Sequence, residues 1–406
     1  MKNSYSVVII GGGAAGFFAA IKCAEMLPRG SVLLLEQTQK ILSKVKISGG
    51  GRCNVTHSCF EPKKLIQNYP RGSKELLGPF FRFQPKDLVE WFNQRNVQLK
   101  TEEDGRMFPV TDDSQTIIDC LNKEASKWGV QIELGAKVTN LKKNESTFSL
   151  ELKTGQSLIA NKVMLATGGG GSGIQIAQNL GHNIVSLVPS LFTFNVPDSP
   201  LLSLSGISFE DVVVSLPEIK MEYRGPILLT HWGFSGPAVL KLSAWAAREL
   251  YDRSYFMKLC IDWFPSLTFE EVQTVIEQHI LKNLGKVVEN DSPFLMPKNL
   301  WINFIKTLDF KPGCRWAEVS KAQKLVLIQK LKKDYYQISG KTTYKQEFVT
   351  AGGVDLSEID FKRMESKLVP NLFFGGEILN IDGITGGFNF QAAWTAGWIA
   401  GESMGR

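Results

Sequence analysis

The stretch VVIIGGGAAG, from Val7 to Gly16, decides the fold. It joins a β-branched apolar run to a glycine turn and a helix rich in small residues, and the next apolar run, SVLLLE, ends at Glu36. This order predicts a strand, a turn, a helix and a second buried strand, which together form a βαβ unit. Gly11, Gly13 and Gly16 have the G-x-G-x-x-G spacing of a dinucleotide-binding turn.

The chemistry of a dinucleotide explains each part of this pattern. Glycines let the backbone approach a pyrophosphate, and the helix N-terminus offers unpaired N–H groups and a positive dipole end. Glu36 follows Gly11 by 25 residues and is placed to accept hydrogen bonds from ribose hydroxyls. Because a carboxylate repels a 2′-phosphate, an NADP ribose is not expected at this turn.

Composition indicates an ordinary globular enzyme-sized protein. The chain has 406 residues, 43% of them hydrophobic and 21% charged, with a net charge of +6. Its six cysteines are scattered without a CxxC pair, so neither a disulfide framework nor a metal site is expected, and a reducing cytoplasm fits best. The uncharged run from Val7 to Ile21 is too short to span a bilayer, which needs ~20 apolar residues, so no membrane association is expected.

A second glycine cluster, KISGGGRCN, covers Lys46 to Asn54. Its three glycines permit backbone contact with a flat or phosphorylated ligand, and Arg52 is suited to pair with a phosphate or a reduced flavin. A surface loop with a glycine hinge is the alternative. Cys53 and Cys59 are interpreted as separate thiols, because their spacing does not match a dithiol motif.

A third cluster, ATGGGGSG from Ala166 to Gly173, also contains G-x-G-x-x-G. No acidic residue occurs between Gly173 and Asp198, so the ribose-binding acid of a second nucleotide site is missing. We interpret this cluster as a close approach of the chain to the first ligand. A nicotinamide donor is therefore expected to bind only transiently.

The last cluster runs from Gly375 to Met404 and contains a helix preceded by Gly386 and Gly387. This helix N-terminus would face an acceptor such as the isoalloxazine N1 and C2 carbonyl of a flavin, which gain negative charge on reduction. Glu377 or Asp382 could bond ribityl hydroxyls. A well-packed terminal helix without a ligand is the alternative.

The catalytic group is not identified by the sequence. His231, in THWGFSGPA, is a candidate together with Arg52 and Cys53, although a lone histidine is more often structural. The segment GFSGP is not a nucleophile elbow, because Pro237 occupies the place of the closing glycine.

The pattern of elements predicts an α/β protein with a Rossmann-like domain built from both chain ends. This domain would comprise residues 1–190 and 346–406. Short strands broken by proline and glycine predict a β-rich insert over 191–264 and 334–345. Two capping-box signatures, Thr268 with Glu271 and Ser320 with Gln323, predict a helical insert over 265–333.

Motifs distributed over the whole chain resemble the YhiN-like or BaiN-like family of FAD-binding flavoproteins, in the class with two dinucleotide-binding folds. The most specific are SGGGRCN and DGITGGFN; one departure is His57, where the family pattern has Asn after Thr56. The resemblance implies a discontinuous FAD domain with β-rich and helical inserts. The motifs and the resemblance together give the candidate cofactor-binding residues Gly11, Gly13, Ala14, Ala15, Gly16, Glu36, Gln37, Lys46, Ser48, Gly49, Gly50, Gly51, Arg52, Cys53, Asn54, Val138, Thr167, Gly168, Gly169, Gly376, Glu377, Asp382, Gly387, Phe388 and Asn389.

The leading hypothesis is an FAD-dependent oxidoreductase that transfers hydride through flavin N5 to or from a small organic substrate, with NAD(P)H as transient donor. One alternative is a tRNA-modifying flavoprotein that transfers a methyl group. Basic residues alternate with acidic ones, so a nucleic-acid partner is not favoured. The other alternative is a flavin-binding sensor without turnover.

Overall fold

The computed structural model describes residues 3–308, 310–343 and 349–406. It divides the chain into two compact units, residues 1–190 with 345–406, and residues 191–344. The α/β class with a Rossmann-type sheet and a further sheet unit is confirmed. The predicted division into a β-rich and a helical insert stays a prediction, and its boundary at 345 and 346 lies outside the described residues.

Two sets of elements build these units. The strands are β1 (Ser4–Ile10), β2 (Val32–Leu35), β3 (Thr56–His57), β4 (Leu99–Thr101), β5 (Arg106–Pro109), β6 (Gln131–Glu133), β7 (Val138–Lys143), β8 (Phe148–Leu152), β9 (Ser157–Leu165), β10 (Ile184–Ser190), β11 (Thr193–Asn195), β12 (Ser208–Leu216), β13 (Met221–Thr230), β14 (Gly233–Ser235), β15 (Phe256–Asp262), β16 (Asp334–Ser339), β17 (Lys341–Thr342), β18 (Val349–Val354), β19 (Ile359–Asp360), β20 (Glu365–Ser366) and β21 (Leu372–Phe374). The helices are α1 (Ala14–Ala24), α2 (Ser43–Ile47), α3 (Pro62–Leu65), α4 (Ser73–Arg82), α5 (Pro85–Asn93), α6 (Ser114–Trp128), α7 (Ser172–Asn179), α8 (Pro237–Trp245), α9 (Ala247–Asp252), α10 (Phe269–Asn283), α11 (Lys298–Thr307), α12 (Lys321–Lys332) and α13 (Phe388–Gly405).

A parallel sheet with the order β21-β9-β1-β2-β6 forms the centre of the first unit. Its inner strands are buried on both faces, which is why they read as continuous apolar runs. The carboxyl ends of four neighbouring strands lead into Gly11, Glu36, Ala166 and Gly375. Since parallel strands end at one edge, residues from distant parts of the sequence meet there, where open α/β sheets bind ligands.

Helices α1 and α13 join the two ends of the chain. A Cβ on Gly397 would stand 2.5 Å from the carbonyl oxygen of Ala15, and one on Gly401 would stand 2.6 Å from that of Ala19. Only glycine permits so close an approach of the two helices. The small residues of the terminal helix therefore fix α13 against the dinucleotide-binding unit.

A separate antiparallel ladder pairs β10 with β18 in the same unit. It ends at Ser190, which pairs with Val349. A short sheet with the order β3-β5-β4 lies in the segment that follows the second glycine cluster. These pairings bring segments that are distant in sequence to the loops around the sheet edge.

The second unit contains a sheet with the order β16-β15-β12-β13-β14-β11-β17 and helices α8 to α12. The capping boxes predicted at Thr268 and Ser320 are both formed, at the starts of α10 and α12. Trp263 beside the sheet and Trp301 on α11 belong to one hydrophobic core. Nowhere in the described residues is there a helix of the length and apolarity needed to cross a membrane.

Candidate dinucleotide-binding site

The first glycine turn is shaped by close packing. Gly11 has a φ of +117°, and a Cβ on it would stand 2.3 Å from the carbonyl oxygen of Ala166. A Cβ on Gly16 would stand 2.0 Å from the carbonyl oxygen of Gly11. Gly13, in contrast, has nothing within 4 Å of its Cβ position. Gly11 and Gly16 thus allow the turn and helix to pack, and Gly13 leaves open space in front of the helix.

The N-terminus of α1 is available to an anion. Gly13 is its N-cap, and no side chain of the described chain caps the helix. The first turn, which includes Ala14 and Ala15, carries no acidic residue. Its first N–H groups have no partner within the helix, so they can bind phosphate oxygens.

The carboxylate of Glu36 is held at the tip of β2. One oxygen accepts a hydrogen bond from Gly12 N–H at 2.9 Å and the other accepts one from Thr38 N–H at 2.8 Å. A carboxylate has about four lone-pair sites, so each oxygen can still accept a hydroxyl. Gln37 follows in an exposed position, and Val138 is buried at the start of β7.

The second glycine cluster forms a left-handed turn. Gly49, Gly50 and Gly51 have φ values of +59°, +70° and +87°. A Cβ on Gly49 would stand 2.8 Å from the Phe108 ring, whereas Gly50 and Gly51 face open space. The side chains beside this turn bond within the protein, Lys46 Nζ to Gln115 and Ser48 Oγ to the carbonyl of Val45.

Asn54 links this turn to the last helix. In the amide orientation that its surroundings favour, its nitrogen donates to Thr56 O and its oxygen accepts from Gly387 N–H, both at 3.0 Å. Gly387, with a φ of +93°, is the N-cap of α13. The second and the last glycine clusters are therefore joined directly by one side chain.

Arg52 is fixed on the surface of this region. Its guanidinium lies 4.0 Å from the centre of the Phe108 ring and pairs with Glu102 at 2.6 Å and Asp112 at 3.5 Å. The hydrogen bond with Glu102 raises the pKa of Arg52, so its positive charge is permanent.

Cys53 has a different character, because its side chain is fully buried and burial raises the pKa of its thiol to about 12. The thiol therefore stays protonated at neutral pH, which argues against a catalytic thiolate. All six cysteines, Cys59 included, are unpaired.

The two acidic residues of the last glycine cluster differ in their surroundings. Glu377 lines a cleft with Gly376, Ile381 and Asn389, and one of its oxygens accepts from Lys44 Nζ at 2.7 Å. Asp382 is fully buried. Both of its oxygens accept hydrogen bonds from Arg71 or Ser190, whereas the Glu377 side chain stays 17% exposed.

The third glycine cluster lies beside β18. A Cβ on Gly169 would stand 2.7 Å from Thr350 Cβ, while Gly168, with a φ of +80°, faces open space. The hydroxyl of Thr167 is buried and finds no hydrogen-bond partner in the described residues. Since buried polar atoms are nearly always hydrogen-bonded, this hydroxyl is a candidate contact for a bound group.

Two residues near the start of α13 are not among the candidate cofactor-binding residues. His57 stacks on Phe388 with 4.7 Å between ring centres, and its Nε2 lies 3.1 Å from the carbonyl oxygen of Asp104. Tyr69 donates its hydroxyl to Phe388 O at 2.7 Å. A Cβ on Gly105 would stand 2.3 Å from the His57 ring, so only glycine fits at this contact.

The catalytic candidate His231 is not among these residues. It is exposed in the turn that joins β13 to β14, in the second unit. No group of three or more metal-ligating side chains occurs among the residues that the structure describes. The candidate cofactor-binding residues all belong to the first unit, and no such group of metal-ligating side chains occurs in its described part.

The glycine turn, its acid and the parallel sheet define a dinucleotide-binding protein of the Rossmann class. The model of the HI0933-like protein Rossmann domain matches residues 5–403. The chain belongs to this family.

Two relatives extend over nearly the whole chain. Ribosomal RNA dihydrouridine synthase of Escherichia coli K12 is 30% identical over 413 residues, covering 98% of each chain. The 3-dehydro-bile acid delta(4,6)-reductase of Clostridium scindens is 28% identical over 405 residues, covering 97% of this chain and 98% of the relative.

Among solved structures, 3-ketosteroid-delta4-(5alpha)-dehydrogenase of Rhodococcus jostii RHA1 matches 100% of this chain and 97% of its own with a TM-score of 0.51. At 14% identity it shows the shared fold alone.

Proposed function

We propose that this protein is an FAD-dependent oxidoreductase. One observation carries the proposal: the N-termini of α1 and α13, both without a side-chain cap, lie in one unit, and Gly13, the N-cap of α1, has nothing within 4 Å of its Cβ position. FAD has a pyrophosphate and a flavin ring that gains negative charge on reduction, and each is suited to a positive helix end.

The residues present fit FAD. The first turn of α1 would hold the pyrophosphate and Glu36 the adenosine ribose, while Glu377 would bond the ribityl chain. The buried, unpartnered hydroxyl of Thr167 and the open face of Gly168 supply further contacts. Bound FAD supplies hydride transfer at N5. Arg52 contributes a fixed positive charge, and His57 with Phe388 forms a ring stack at the start of α13.

The names of the relatives favour one class of reaction. Dihydrouridine differs from uridine by two hydrogens across a carbon–carbon double bond conjugated to a carbonyl. A delta(4,6)-reductase acting on a 3-dehydro bile acid saturates double bonds of the same electronic kind. We therefore infer that the substrate contains an electron-poor carbon–carbon double bond conjugated to a carbonyl. The enzyme would reduce this bond with electrons from NAD(P)H.

The choice between a small molecule and RNA depends on a charge pattern. Residues 298–333 contain nine basic and two acidic residues, a larger excess than the +6 of the whole chain. Lys298, Lys311 and Lys321 are exposed, and none pairs with a carboxylate of the described residues. This concentration departs from the alternation seen elsewhere and favours a polyanionic substrate as the second candidate.

One assay separates these candidates. Anaerobic holoprotein is mixed with NADH or NADPH, and flavin bleaching is followed by stopped flow, after which a 4-en-3-one steroid or unmodified ribosomal RNA is added. Flavin reoxidation that forms a saturated ketone, identified by mass spectrometry, supports the steroid as the substrate. Reoxidation that forms dihydrouridine supports the RNA. A methylated nucleoside would instead support methyl transfer, and bleaching without turnover on either substrate would support a sensor.

A further inference from the structure

Residues 68–72, the sequence NYPRG, contact the loop 381–387 through Asn68, Tyr69, Arg71 and Gly72. Asn68 O accepts a hydrogen bond from Ile384 N–H at 2.9 Å. Arg71 forms an isolated antiparallel bridge with Asp382. We call residues 68–72 the clamp segment.

The strongest contact is a buried ion pair. Arg71 Nε donates to Asp382 Oδ1 at 2.5 Å, and Arg71 Nη2 donates to Asp382 Oδ2, so the two planar groups meet through two parallel bonds. Ser190, at the end of β10, donates its hydroxyl to Asp382 Oδ2 at 2.7 Å. Asp382 has no exposed side-chain surface and the Arg71 side chain is 14% exposed. A two-pronged pair of this kind fixes orientation as well as distance.

Packing closes the remaining space between the two segments. A Cβ on Gly72 would stand 2.5 Å from Ile381 Cγ1, and one on Gly383 would stand 3.2 Å from the Tyr69 ring. The Tyr69 hydroxyl reaches past the loop to the carbonyl of Phe388, the first residue of α13. Asn389 completes the arrangement by bonding both the N–H and the carbonyl of Gly383 at 2.9 Å.

These contacts hold the N-terminus of α13 in one position. We propose that Arg71 and Asp382 are a positioning pair, which orients the loop 381–387 and the α13 N-terminus toward the cofactor and does not itself bind the cofactor. The proposal rests on the proposed function, because the group to be positioned is the flavin of FAD. It assigns Asp382 a role different from that of Glu377, whose side chain lines the cleft.

The chain offers a matched control at the other end of α4. Arg71 precedes α4 and contacts the loop before α13, whereas Arg82 ends α4 and pairs with Glu402 in the last turns of α13 at 2.5 Å. Arg71→Met and Arg82→Met each remove one arginine–carboxylate pair that tethers the same helix. Arg71→Lys keeps the charge but cannot make two parallel bonds.

Two readouts test the proposal. In the apoprotein, amide hydrogen exchange of Ile384 is expected to rise at least tenfold in Arg71→Met and Arg71→Lys and to stay within twofold in Arg82→Met. In the holoprotein, the FAD dissociation constant is expected to rise at least tenfold in both Arg71 variants, with a shifted visible flavin spectrum, and to stay within twofold in Arg82→Met.

Exchange and FAD affinity unchanged in the Arg71 variants, or changed equally in Arg82→Met, would overturn the proposal. If Arg71→Met fails to fold, Tyr69→Phe is the second variant, because it removes a single hydroxyl. It is expected to accelerate Ile384 exchange and weaken FAD binding by a smaller factor. No change in either quantity would also overturn the proposal. If the wild-type protein binds no FAD, the proposed function is contradicted but the role of the clamp segment is not. The exchange measurement tests that role in the apoprotein, without cofactor.

Discussion

The carboxylate of Glu36 accepts a hydrogen bond from the N–H of Gly12 at 2.9 Å, so the acid at the end of β2 is tied to the glycine turn at the end of β1. This bond fixes the distance between the two parts of the site that would hold the ribose and the pyrophosphate of one nucleotide. Two neighbouring strands of a parallel sheet bring them together.

Glu36→Ala is expected to weaken FAD binding at least tenfold. It removes a charged acceptor of ribose hydroxyls, and hydrogen bonds to charged groups contribute about 1.5–3 kcal/mol, with about 1.4 kcal/mol per factor of ten. Isothermal titration of apoprotein with FAD measures the effect. The control is Glu133→Ala, at the end of the neighbouring strand β6, for which the dissociation constant should stay within twofold. Equal losses in the two variants would contradict the assignment of Glu36.

Gly13→Ala should separate folding from binding. Gly13 has a φ of −91° and no atom within 4 Å of its Cβ position, so the folded apoprotein can accept alanine. The added methyl group would occupy the space in front of α1, and FAD affinity should fall at least tenfold while the apoprotein melting temperature changes little. Gly285→Ala, also in open space but on the second unit, is the control. A Gly13 variant with wild-type FAD affinity would show that no ligand approaches this turn.

Arg52→Ala is expected to lower the midpoint potential of the bound flavin. Removing a fixed positive charge disfavours the reduced, more anionic ring, and a tenfold change in the equilibrium corresponds to about 30 mV for a two-electron couple. A shift of that size or more should appear in a dye-linked redox titration. Arg106→Ala is the control, since Arg106 also pairs with Glu102 but lies 5.5 Å from the centre of the Phe108 ring. A potential equal to that of the wild type would place Arg52 away from the flavin.

The free energy of unfolding should fall as pH rises above 9. Burial raises the pKa of Cys53 from its ordinary 9.0 to about 12, so between these values the folded chain keeps a proton that the unfolded chain has lost. The loss is at most about 1.4 kcal/mol per pH unit for one such group. Urea unfolding at pH 8, 9 and 10 should show a shallower decline in Cys53→Ser. Identical slopes in the variant and the wild type would contradict the burial of this thiol.

Local patterns predicted much of this fold. The βαβ unit, the capping boxes at Thr268 and Ser320, and the terminal helix each depend on neighbours within a few residues, which the sequence shows directly. The backbone shape of the glycine turn was equally predictable from its spacing, and the ligand that this spacing indicates stays a prediction.

The clamp segment could not be predicted in this way. Arg71 and Asp382 are separated by 311 residues. No hydrophobic periodicity in NYPRG or in NIDGITGG predicts that the two segments are in contact. The sequence placed Glu377 and Asp382 in one acidic glycine loop, but only the fold distinguishes the acid at the cleft from the acid buried against an arginine. The pairing of β10 with β18 was missed for the same reason. The whole sequence of the second unit lies between these two strands, and no local pattern indicates a pairing over that separation.

The most direct test of the account is the identity and amount of the bound cofactor. Purified protein, supplied with excess FAD and freed of unbound flavin, is denatured, and the released flavin is separated by chromatography and quantified by absorbance. The account predicts FAD, close to one per chain, in the wild type and a strong loss in Gly13→Ala. Release of FMN, or of no flavin after incubation with FAD, would contradict it.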